Sequence, residues 1–529
     1  LSCHEPLLPG PLSLAIPFLS HTLMEDFLVI GSGFGGAVAA LELVRAGARV
    51  SLIERGPWRD TLPLRSSNII PHAQLAPLPQ GRHFFSHALF RLHHSGLPRQ
   101  GLSLHRHGLL EAFNDTGLRV ICASGVGGGS HAYGGLHSGP LRDDYWDHRA
   151  EGVDRQSMAV HQSALLQQFA SSPAPREGDG QRPPIPREPW EQKTHAFLEI
   201  SPEAQPRWAY LLPDPPGQPR VVTQDGIRRQ ECDFSQEGLF GSPGGAKLTL
   251  DVACLLPALR AGLTLHAGLD VQQITREAQG FSVQALELAT GKTRHFTARR
   301  LILSAGAINS VALLLRSRAN GGLSGMPALG LGLGSNADVM AWFAVNTPGA
   351  NHPAAGVYQR FYRHRDDVDA KGQATGPTLL QTGLSGLSAV PLLPGFLRRR
   401  LQRDLFIATM GVDAADGRVT LENGRVRLHY DKRNSPVFAR IEAHLATLRT
   451  LSGKPLRAAG RIATVHPLGG ARLGEHINDS VINGRGEVHD IPGLFITDAS
   501  ALPAAPGSPP SLSIASWSRH VAQGLIREG

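Results

Sequence analysis

The first clear pattern of hydrophobic and polar positions lies at residues 26–54. Residues 26–30 (DFLVI) have the pattern of a short buried strand, and a glycine-rich turn follows them. Residues 37–46 then place apolar side chains at helical spacing, and residues 49–54 (RVSLIE) have the pattern of a second strand. A strand, a helix and a strand in this order predict a right-handed βαβ unit in a parallel sheet.

Regular patterns return after residue 247 and again near the end of the chain. A helix over 252–261 precedes strands at 263–266, 271–275, 281–288 and 301–304, and a strand at 494–497 precedes the closing helix. The stretches between these groups are irregular. The sequence therefore predicts an α/β protein: a Rossmann-like nucleotide-binding domain built from discontinuous segments, with an inserted α+β substrate-binding domain.

These patterns also give the expected domain boundaries. The nucleotide-binding domain is expected at 24–60, 118–140, 245–335 and 460–529. The substrate-binding domain is expected at 61–117, 141–244 and 336–459. Residues 1–23 contain no lysine or arginine, whereas a signal peptide starts with positive charge, so a disordered extension is expected there.

The turn after the first strand carries Gly31-x-Gly33-x-x-Gly36, with Gly35 inside it. Glycines at this spacing allow a tight turn and a close backbone approach to a pyrophosphate, which the N–H groups and dipole of the following helix stabilise. Glu54 ends the second strand, where a carboxylate can accept hydrogen bonds from an adenosine ribose. The unit predicts a dinucleotide site without choosing between FAD and NAD.

Three later stretches carry further candidate chemistry. The run 125–129 is nearly bare backbone that can lie against a flat ligand or bind phosphate, although a flexible loop has the same composition. Asp498 follows a strand, where a carboxylate suits a polyol hydroxyl. Ser508 is a candidate cap for the last helix, which Pro509 and Pro510 open and whose N-terminus can stabilise negative charge.

Composition narrows the function classes. With 529 residues, 41% hydrophobic and 18% charged, the chain is expected to be globular with at least two domains. The net charge of +8 comes from scattered arginines, so no nucleic-acid partner is expected. The four cysteines contain no CxxC, which favours a reducing, cytoplasmic compartment without a disulfide framework or a metal site.

The order of these motifs resembles the glucose-methanol-choline (GMC) oxidoreductases, especially their cholesterol-oxidase branch. The segments that carry the resemblance are 29–43 (VIGSGFGGAVAALEL), 125–135 (GVGGGSHAYGG), 247–259 (KLTLDVACLLPAL), 301–315 (LILSAGAINSVALLL), 466–474 (HPLGGARLG) and 494–515 (LFITDASALPAAPGSPPSLSIA). The resemblance implies bound FAD and oxidation of an alcohol by hydride transfer to the flavin. It also implies a sterol or another bulky apolar alcohol as substrate, and O2 or an unknown acceptor.

The resemblance also implies a set of cofactor contacts. The residues at the ADP half would be Gly31, Gly33, Phe34, Gly35, Gly36 and Glu54. Those at the isoalloxazine would be Gly129, Ser130, Tyr133, Gly134 and Gly135, with Val271 at the adenine and Asp498 and Ala499 at the ribityl chain. His131 lies one residue earlier than the histidine through which some members attach FAD, so noncovalent FAD is expected.

His466 matches the active-site histidine of the family, where an imidazole can bind the substrate hydroxyl and take its proton. Two positions depart from the family pattern. Pro509 stands where the family has Asn or His, and it cannot donate a hydrogen bond. The stretch 411–417 (GVDAADG) lacks the glutamate base of cholesterol oxidases; Asp413 or Asp416 can replace it, but Asp-Gly is also typical of a turn.

Other functions and a membrane contact stay open at this point. A flavin-dependent C=C reductase or desaturase would not need His466, and Pro509 also fits a flavin-binding protein whose alcohol chemistry has decayed. Residues 389–406 (AVPLLPGFLRRRLQRDLF) combine apolar side chains with arginines. That pattern predicts either a peripheral contact with anionic lipid or an ordinary helix whose apolar face packs on the core.

Overall fold

The structure is a computed structural model of the chain. It describes residues 24–115, 117–172, 191, 196–200, 205–213, 218–234, 237–350, 356–357, 359–370, 372, 374–383 and 390–528. The extension expected at residues 1–23 lies outside the described residues.

A seven-stranded sheet forms the first layer of the fold. Its strands, in spatial order, are Thr264–Ala267, Val50–Glu54, Glu25–Ile30, Thr293–Leu303, Gly280–Glu287 and Leu269–Glu277, with Leu494–Ile496 paired to Thr293–Leu303. The strands that meet at Glu25–Ile30 and at Leu494–Ile496 are parallel, whereas 269–287 forms an antiparallel extension. Strands distant in sequence thus build one sheet, which confirms the predicted Rossmann-like class.

The helix that follows the first strand is buried on almost every side. It spans Phe34–Arg45 (α1), and it packs beside the last helix of the chain, Ser511–Arg527. The Ser518 hydroxyl of that last helix donates to the Gly35 carbonyl at 2.5 Å. Helix α1 thus lies between the strands Glu25–Ile30 and Val50–Glu54 and this last helix, which explains why it carries small and aliphatic residues rather than one apolar stripe.

A second layer is a six-stranded antiparallel sheet from the middle of the chain. Its strands in spatial order are Phe197–Glu199, Arg360–His364, Thr378–Thr382, Leu405–Met410, Val339–Phe343 and Leu456–Ala458. Except for Phe197–Glu199, they all come from the segment 336–459 that the sequence assigns to the substrate-binding domain. The domain boundaries themselves stay a prediction.

A five-stranded sheet joins segments that the sequence divides between the two domains. Its strands are Ile462–Thr464, Leu118–Ala123, Leu110–Asn114, Leu89–His94 and Leu102–Ser103. Residues 118–120 pair in parallel with 462–464, just before His466. This pairing fixes the chain entering the His466 loop to a sheet built from residues more than 300 positions earlier.

The remaining elements are shorter and lie around these sheets. The other strands are Trp58–Arg59, Leu75–Ala76, Leu136–His137, Arg207–Trp208, Val221–Gln224, Ile227–Gln230, Leu331–Leu333, Gly417–Glu422 and Arg425–His429. The other α-helices of the described ranges are Leu62–Ser67, Phe84–His87, Arg155–Gln168, Leu256–Arg260, Ala307–Ala319, Gly395–Leu401 and Pro436–Ser452. Among the described residues, no helix combines the length and the apolar character needed to cross a membrane.

The glycine turn after the first strand is packed against two other chain turns. A Cβ on Gly31 would lie 2.2 Å from the Ser304 carbonyl oxygen, and one on Gly35 would lie 2.3 Å from the Thr497 carbonyl oxygen. A Cβ on Gly36 would lie 1.9 Å from the Gly31 oxygen. Gly33 differs, because a Cβ there would meet nothing within 4 Å.

This contrast gives a matched pair of variants. Gly36→Ala is expected to lower the stability of the apoprotein by at least about 1–3 kcal/mol, because the new methyl group overlaps backbone that cannot move aside. Gly33→Ala is expected to leave it nearly unchanged, since the φ of Gly33 is −71° and its surroundings are open. Thermal unfolding followed by circular dichroism measures both, and equal midpoints for the two variants would contradict this packing.

Candidate active site

A cavity of about 660 Å³ lies where the parallel strands end. Its wall on that side includes Ile30, Ile53 and Ser304, each at or next to the carboxyl end of a parallel strand. Its other wall includes Leu380 and Ala408 of the six-stranded sheet. Ligands of open α/β folds bind at this edge of the sheet.

Most of the site residues expected from the sequence line this one cavity. Those that do are Gly31, Gly33, Phe34, Gly35, Glu54, Gly129, Tyr133, Gly134, Val271, His466, Asp498, Ala499 and Pro509. Those that do not are Gly36, Ser130, Gly135 and Asp413. The structure thus brings together segments that lie as far apart in the chain as Gly31 and Pro509.

The glycine-rich wall has the shape that a dinucleotide needs. Gly33 and Gly129 both have free space where a Cβ would stand, and both line the cavity. Helix α1 begins after Gly33 without a side-chain cap and without an acidic residue in its first turn. The buried Ser304 hydroxyl has no hydrogen-bond partner in the described structure. Bare backbone, an uncapped helix N-terminus and a spare hydroxyl fit the pyrophosphate of FAD.

The residues behind the second glycine run hold it in place. The Ser130 hydroxyl donates to the Gly127 carbonyl at 2.7 Å and accepts from the Leu250 N–H at 3.0 Å. The Tyr133 hydroxyl donates to the Leu248 carbonyl at 2.7 Å. A Cβ on Gly135 would lie 2.3 Å from the Tyr210 ring. Ser130 and Gly135 therefore act on the shape of this wall from outside the cavity.

His131 is buried beside the same turn and does not line the cavity. Its Nε2 lies 2.7 Å from the Val126 carbonyl oxygen and 3.7 Å from the Asp251 carboxylate. Burial lowers the pKa of this imidazole. The ring therefore faces protein groups and not the space available to a flavin.

We call the side of the cavity lined by Gly31, Gly33, Gly35, Gly129 and Gly134 the cofactor wall. Two carboxylates at this wall are already bound by protein donors. Glu54 accepts from the Ser32 N–H at 3.0 Å, the Ser32 hydroxyl at 2.7 Å and the Gly56 N–H at 2.8 Å. Glu54 is only 7% exposed, and its remaining surface faces the cavity. It thus fixes the turn that carries Ser32 besides being in position for a ribose.

Asp498 is engaged even more fully. Its Oδ1 accepts from the Ser500 N–H at 2.8 Å and the Ser500 hydroxyl at 2.5 Å, and its Oδ2 accepts from the Gly306 N–H at 2.8 Å and from the Ser310 hydroxyl. Burial raises the pKa of this carboxyl above its ordinary value. Asp498 therefore ties the turn before the helix Ala307–Ala319 to the strand end at Leu494–Ile496.

His466 is paired with a residue that the sequence analysis missed. Its Nδ1 lies 3.0 Å from Oδ1 and 2.9 Å from Oδ2 of Asp338, and both residues line the cavity. The Thr464 hydroxyl bonds Asp338 Oδ2 at 2.8 Å and accepts from the His466 N–H at 2.8 Å. An Nδ1–H held by a carboxylate leaves Nε2 as the basic nitrogen of the neutral imidazole.

The sequence gives no indication that Asp338 pairs with His466, because Asp338 lies 128 residues earlier and outside every motif. A second missed residue is Asn336, whose side chain donates to the Ser508 carbonyl at 3.1 Å and accepts from the Gly507 N–H at 2.9 Å. This amide holds the turn that delivers Pro509 to the cavity. An apolar ring at Pro509 thus stands at the end of a firmly bound turn.

The prediction that Ser508 caps the last helix is wrong. Ser508 does not bond the N-terminus of Ser511–Arg527; its hydroxyl donates to the Gly139 carbonyl at 2.7 Å. That helix has no side-chain cap, since Pro510 occupies the N-cap position. Its N-terminus opens on the cavity through Pro509, Pro510 and Ser511.

Asp413 points into protein rather than into the cavity. Its Oδ2 accepts from the Ser335 N–H at 2.7 Å, the Ser335 hydroxyl at 2.9 Å and the Tyr430 hydroxyl at 2.6 Å. Burial raises the pKa of its carboxyl. The Asp416 carboxylate is exposed and accepts from the Asn434 side chain at 2.8 Å. Neither carboxylate is placed beside His466.

The comparisons with known proteins agree with this architecture. Residues 217–334 and 413–517 match the N-terminal and C-terminal parts of the GMC oxidoreductase family, and residues 26–62 match an FAD-binding domain. A solved structure of a fungal aryl-alcohol oxidase has a similar fold, with a TM-score of 0.55 and 15% identity over 96% of this chain and 99% of that one.

Curated relatives have modest identity. The chain is 24% identical to a cholesterol oxidase of Mycobacterium tuberculosis, over 94% of this chain and 90% of that protein. It is 26% identical to a paromamine 6'-oxidase of Streptomyces fradiae, over 92% and 89%. A GMC-type oxidoreductase of Mycobacterium tuberculosis is 26% identical over 54% of this chain, which spans about half (49%) of that relative. From these matches, and from the glycine-lined cavity at the carboxyl edge of the parallel sheet, we conclude that the chain is an FAD-binding member of the GMC oxidoreductase family.

Proposed function

We propose that this protein oxidises an alcohol to a carbonyl compound, with a sterol or another bulky apolar alcohol as substrate and with O2 or another acceptor reoxidising the cofactor. The observation that carries the proposal is the His466–Asp338 pair, with Nδ1 2.9 Å from a carboxylate oxygen in the wall of the FAD cavity. When bound, FAD supplies the two-electron acceptor for the hydride of the alcohol carbon.

In this proposal His466 Nε2 accepts a hydrogen bond from the substrate hydroxyl and then takes its proton as the carbonyl forms. Asp338 holds Nδ1–H, so the ring presents its basic nitrogen, and the carboxylate stabilises the imidazolium that results. His466 is partly exposed, with 26% of its side chain accessible, so a substrate can reach it. Asp413, bound to Ser335 and Tyr430, would support the neighbouring chain and not move a proton.

The apolar wall opposite the cofactor supports a bulky apolar substrate. Met340, Ala408 and Leu380 stand in register on three neighbouring strands and all line the cavity. Met410 lies on the same face as Ala408, two residues along the strand. A row of thioether and aliphatic side chains favours a hydrocarbon skeleton over a polyol, although relatives include an oxidase named for paromamine.

Two rivals predict different behaviour of the bound flavin. A C=C reductase or desaturase would be reduced by a nicotinamide or quinol and would not need the His466–Asp338 pair. A binding protein with decayed chemistry would keep an oxidised flavin with every donor. Anaerobic visible spectra with a panel of alcohols, and separately with NADH and NADPH, distinguish the three; bleaching by alcohol supports the proposal, and bleaching by reduced nicotinamide alone overturns it.

The first prediction concerns the base. His466→Ala is expected to slow flavin reduction by saturating alcohol at least about a hundredfold, because a positioned proton acceptor is lost. FAD content should stay at the level of the unmodified protein. Stopped-flow absorbance at the flavin band measures the rate, and exposed His476→Ala serves as the control. An unchanged reduction rate in His466→Ala would remove this residue from the mechanism.

The second prediction concerns Pro509, where the family carries Asn or His. Pro509→Asn is expected to keep FAD and to leave the alcohol reaction at least as fast as in the unmodified protein, because the new amide can bond the substrate oxygen. The same stopped-flow assay applies. Loss of FAD would instead mean that the proline ring is needed to shape the cofactor wall.

The third prediction tests Asp338. Asp338→Asn keeps the size of the side chain but offers no charge to an imidazolium and can hold the wrong tautomer, so the rate of flavin reduction should fall at least about tenfold. The matched control is Asp404→Asn, a buried carboxylate away from the cavity. The fall should appear in the reduction rate at saturating alcohol and not in substrate affinity alone; a change confined to affinity would contradict a role through His466.

The exposure of side chains in residues 390–406, the described part of 389–406, supports the proposed membrane contact. The helix Gly395–Leu401 buries Leu401 against the protein. Leu392 is 91% exposed and Phe396 69% exposed, beside the exposed Arg398, Arg399 and Arg400. Two apolar side chains next to Arg398 and Arg399 fit an interface in which the apolar groups insert and the cations meet anionic headgroups, while Arg400 is paired with Asp404 at 3.2 Å.

The fourth prediction follows from these exposures. The full protein is expected to co-sediment with vesicles that contain anionic lipid at low salt, and Leu392→Ser with Phe396→Ser should weaken that binding while turnover of a short, soluble alcohol stays the same. Val160→Ser is the control, because Val160 is 63% exposed on a different helix. Binding that is absent, or that survives the double change, would leave the segment without a membrane role.

A further inference from the structure

Four histidines gather on one side of the protein, outside the cavity. His83 and His87 lie four residues apart in the short helical segment 81–87. His105 and His107 follow the strand Leu102–Ser103 and are separated by one residue. The ring of His87 lies 4.5 Å from that of His105 and 6.2 Å from that of His107, centre to centre. One ring nitrogen from each of His87, His105 and His107 lies within 4.8 Å of those of the other two.

Backbone hydrogen bonds hold the two histidine pairs side by side. The Leu109 N–H donates to the His87 carbonyl at 2.8 Å, and the Leu104 N–H donates to the Phe90 carbonyl at 2.9 Å. His87 is buried, and His105 and His107 are half-buried. The position of the backbone therefore brings the histidine rings together.

The rings are available as ligands. One ring nitrogen of each histidine lies near enough to those of the other two for a single ion to contact all three. Ser86 bonds His87 Nδ1 at 2.8 Å, which leaves His87 Nε2 for a ligand and resembles the outer partner that metal-bound histidines usually have.

Two weak contacts compete with a ligand at this place. The His107 N–H donates to His105 Nδ1, and Arg106 donates to His107 Nε2, each at 3.2 Å. Both contacts involve partly or fully exposed groups. If the His105 or His107 ring turns toward an ion, water can replace the ring nitrogen as the acceptor of each hydrogen bond. The positive charges nearby are Arg59, Arg82 and Arg106, of which Arg59 donates to the carbonyls of His107, Gly108 and Ser124.

We infer that His87, His105 and His107 form a zinc site, with water in the fourth position. A zinc ion binds imidazole nitrogen at about 2.0–2.1 Å, so the three nitrogens would close from 4.8 Å or less to about 3.3 Å through small ring rotations. Three imidazoles without a carboxylate suit zinc, nickel or copper and disfavour magnesium and calcium. The expectation of a chain without a metal site rested on the cysteines, and these histidines lie outside that argument.

The ion would cross-link two chain segments next to the cofactor wall. It would join the helical segment that ends at His87 to the turn at 105–107, and Arg59 connects that turn to Ser124 at the start of the glycine run 125–129. A ligand that binds the folded state alone stabilises it in proportion to its concentration. Zinc should therefore raise the melting temperature of the protein, independently of the alcohol reaction.

The experiment uses the full FAD-loaded protein, stripped with a chelator and then dialysed against Zn2+. Elemental analysis is expected to give one zinc per chain, and competition with a chromophoric chelator gives the affinity. His105→Ala and His107→Ala should each weaken zinc binding at least about tenfold, since even loss of an outer partner costs 10- to 100-fold at metal sites. The control is His94→Ala, an exposed histidine of the same segment.

FAD content and circular dichroism show that each variant is folded. His87→Gln, which keeps a polar group of similar reach in the buried position, provides a third variant should alanine there prevent folding. Zinc bound at less than one ion per chain, or with the same affinity in His105→Ala and His107→Ala, would overturn the site. So would a protein that binds nickel at these histidines but not zinc.

Discussion

Close packing of three chain turns at the carboxyl edge of the parallel sheet is the constraint on which the rest of the structure depends. The strands ending at Ile30, Leu303 and Ile496 lie side by side, and each chain turns away at once. Gly31 has a φ of +95° and no room for a side chain beside Ser304, while Gly35 is pressed against both Ser304 and Thr497. Only bare backbone allows this approach, and the approach leaves Gly33 open toward the cavity.

The carboxylates of Glu54 and Asp498 stabilise this packing through hydrogen bonds from protein donors, whether or not a ligand is bound. Asp498 collects donors from residues 306, 310 and 500, and so joins the ends of two of those strands. Glu54 does the same for the turn at Ser32. Both positions suggest ribose or ribityl contacts when read as isolated residues, yet their protein donors give a sufficient physical reason for a carboxylate at each. A cofactor hydroxyl would share acceptors that are already in use.

The βαβ unit and the cofactor wall could be predicted from the sequence, because their signals are local: a strand of 26–30, glycines at fixed spacing and a helix with small residues. The cavity gathers these segments as expected, and His466 lies in its wall. The antiparallel sheet could not be predicted in detail, since its strands are short and irregular in pattern. Asp338 and Asn336 could not be predicted at all, because their partners, His466 and Ser508, lie 128 and 172 residues away. Position in the sequence suggests a capping role for Ser508 and a catalytic role for Asp413, whereas tertiary contacts decide what each side chain bonds.

The His466–Asp338 pair also links the six-stranded sheet to the five-stranded sheet. Asp338 directly precedes a strand of the six-stranded sheet, Val339–Phe343, whereas His466 follows Ile462–Thr464, which pairs with the five-stranded sheet. Thr464 bonds both Asp338 and the His466 backbone, so the imidazole is oriented only when these sheets are docked. A general base built in this way depends on tertiary assembly and not on its own loop. The physical consequence is that disturbance of the docking between these two sheets should disorder the base, whereas the turn at Gly31–Gly35 is held by its own packing against Ser304 and Thr497.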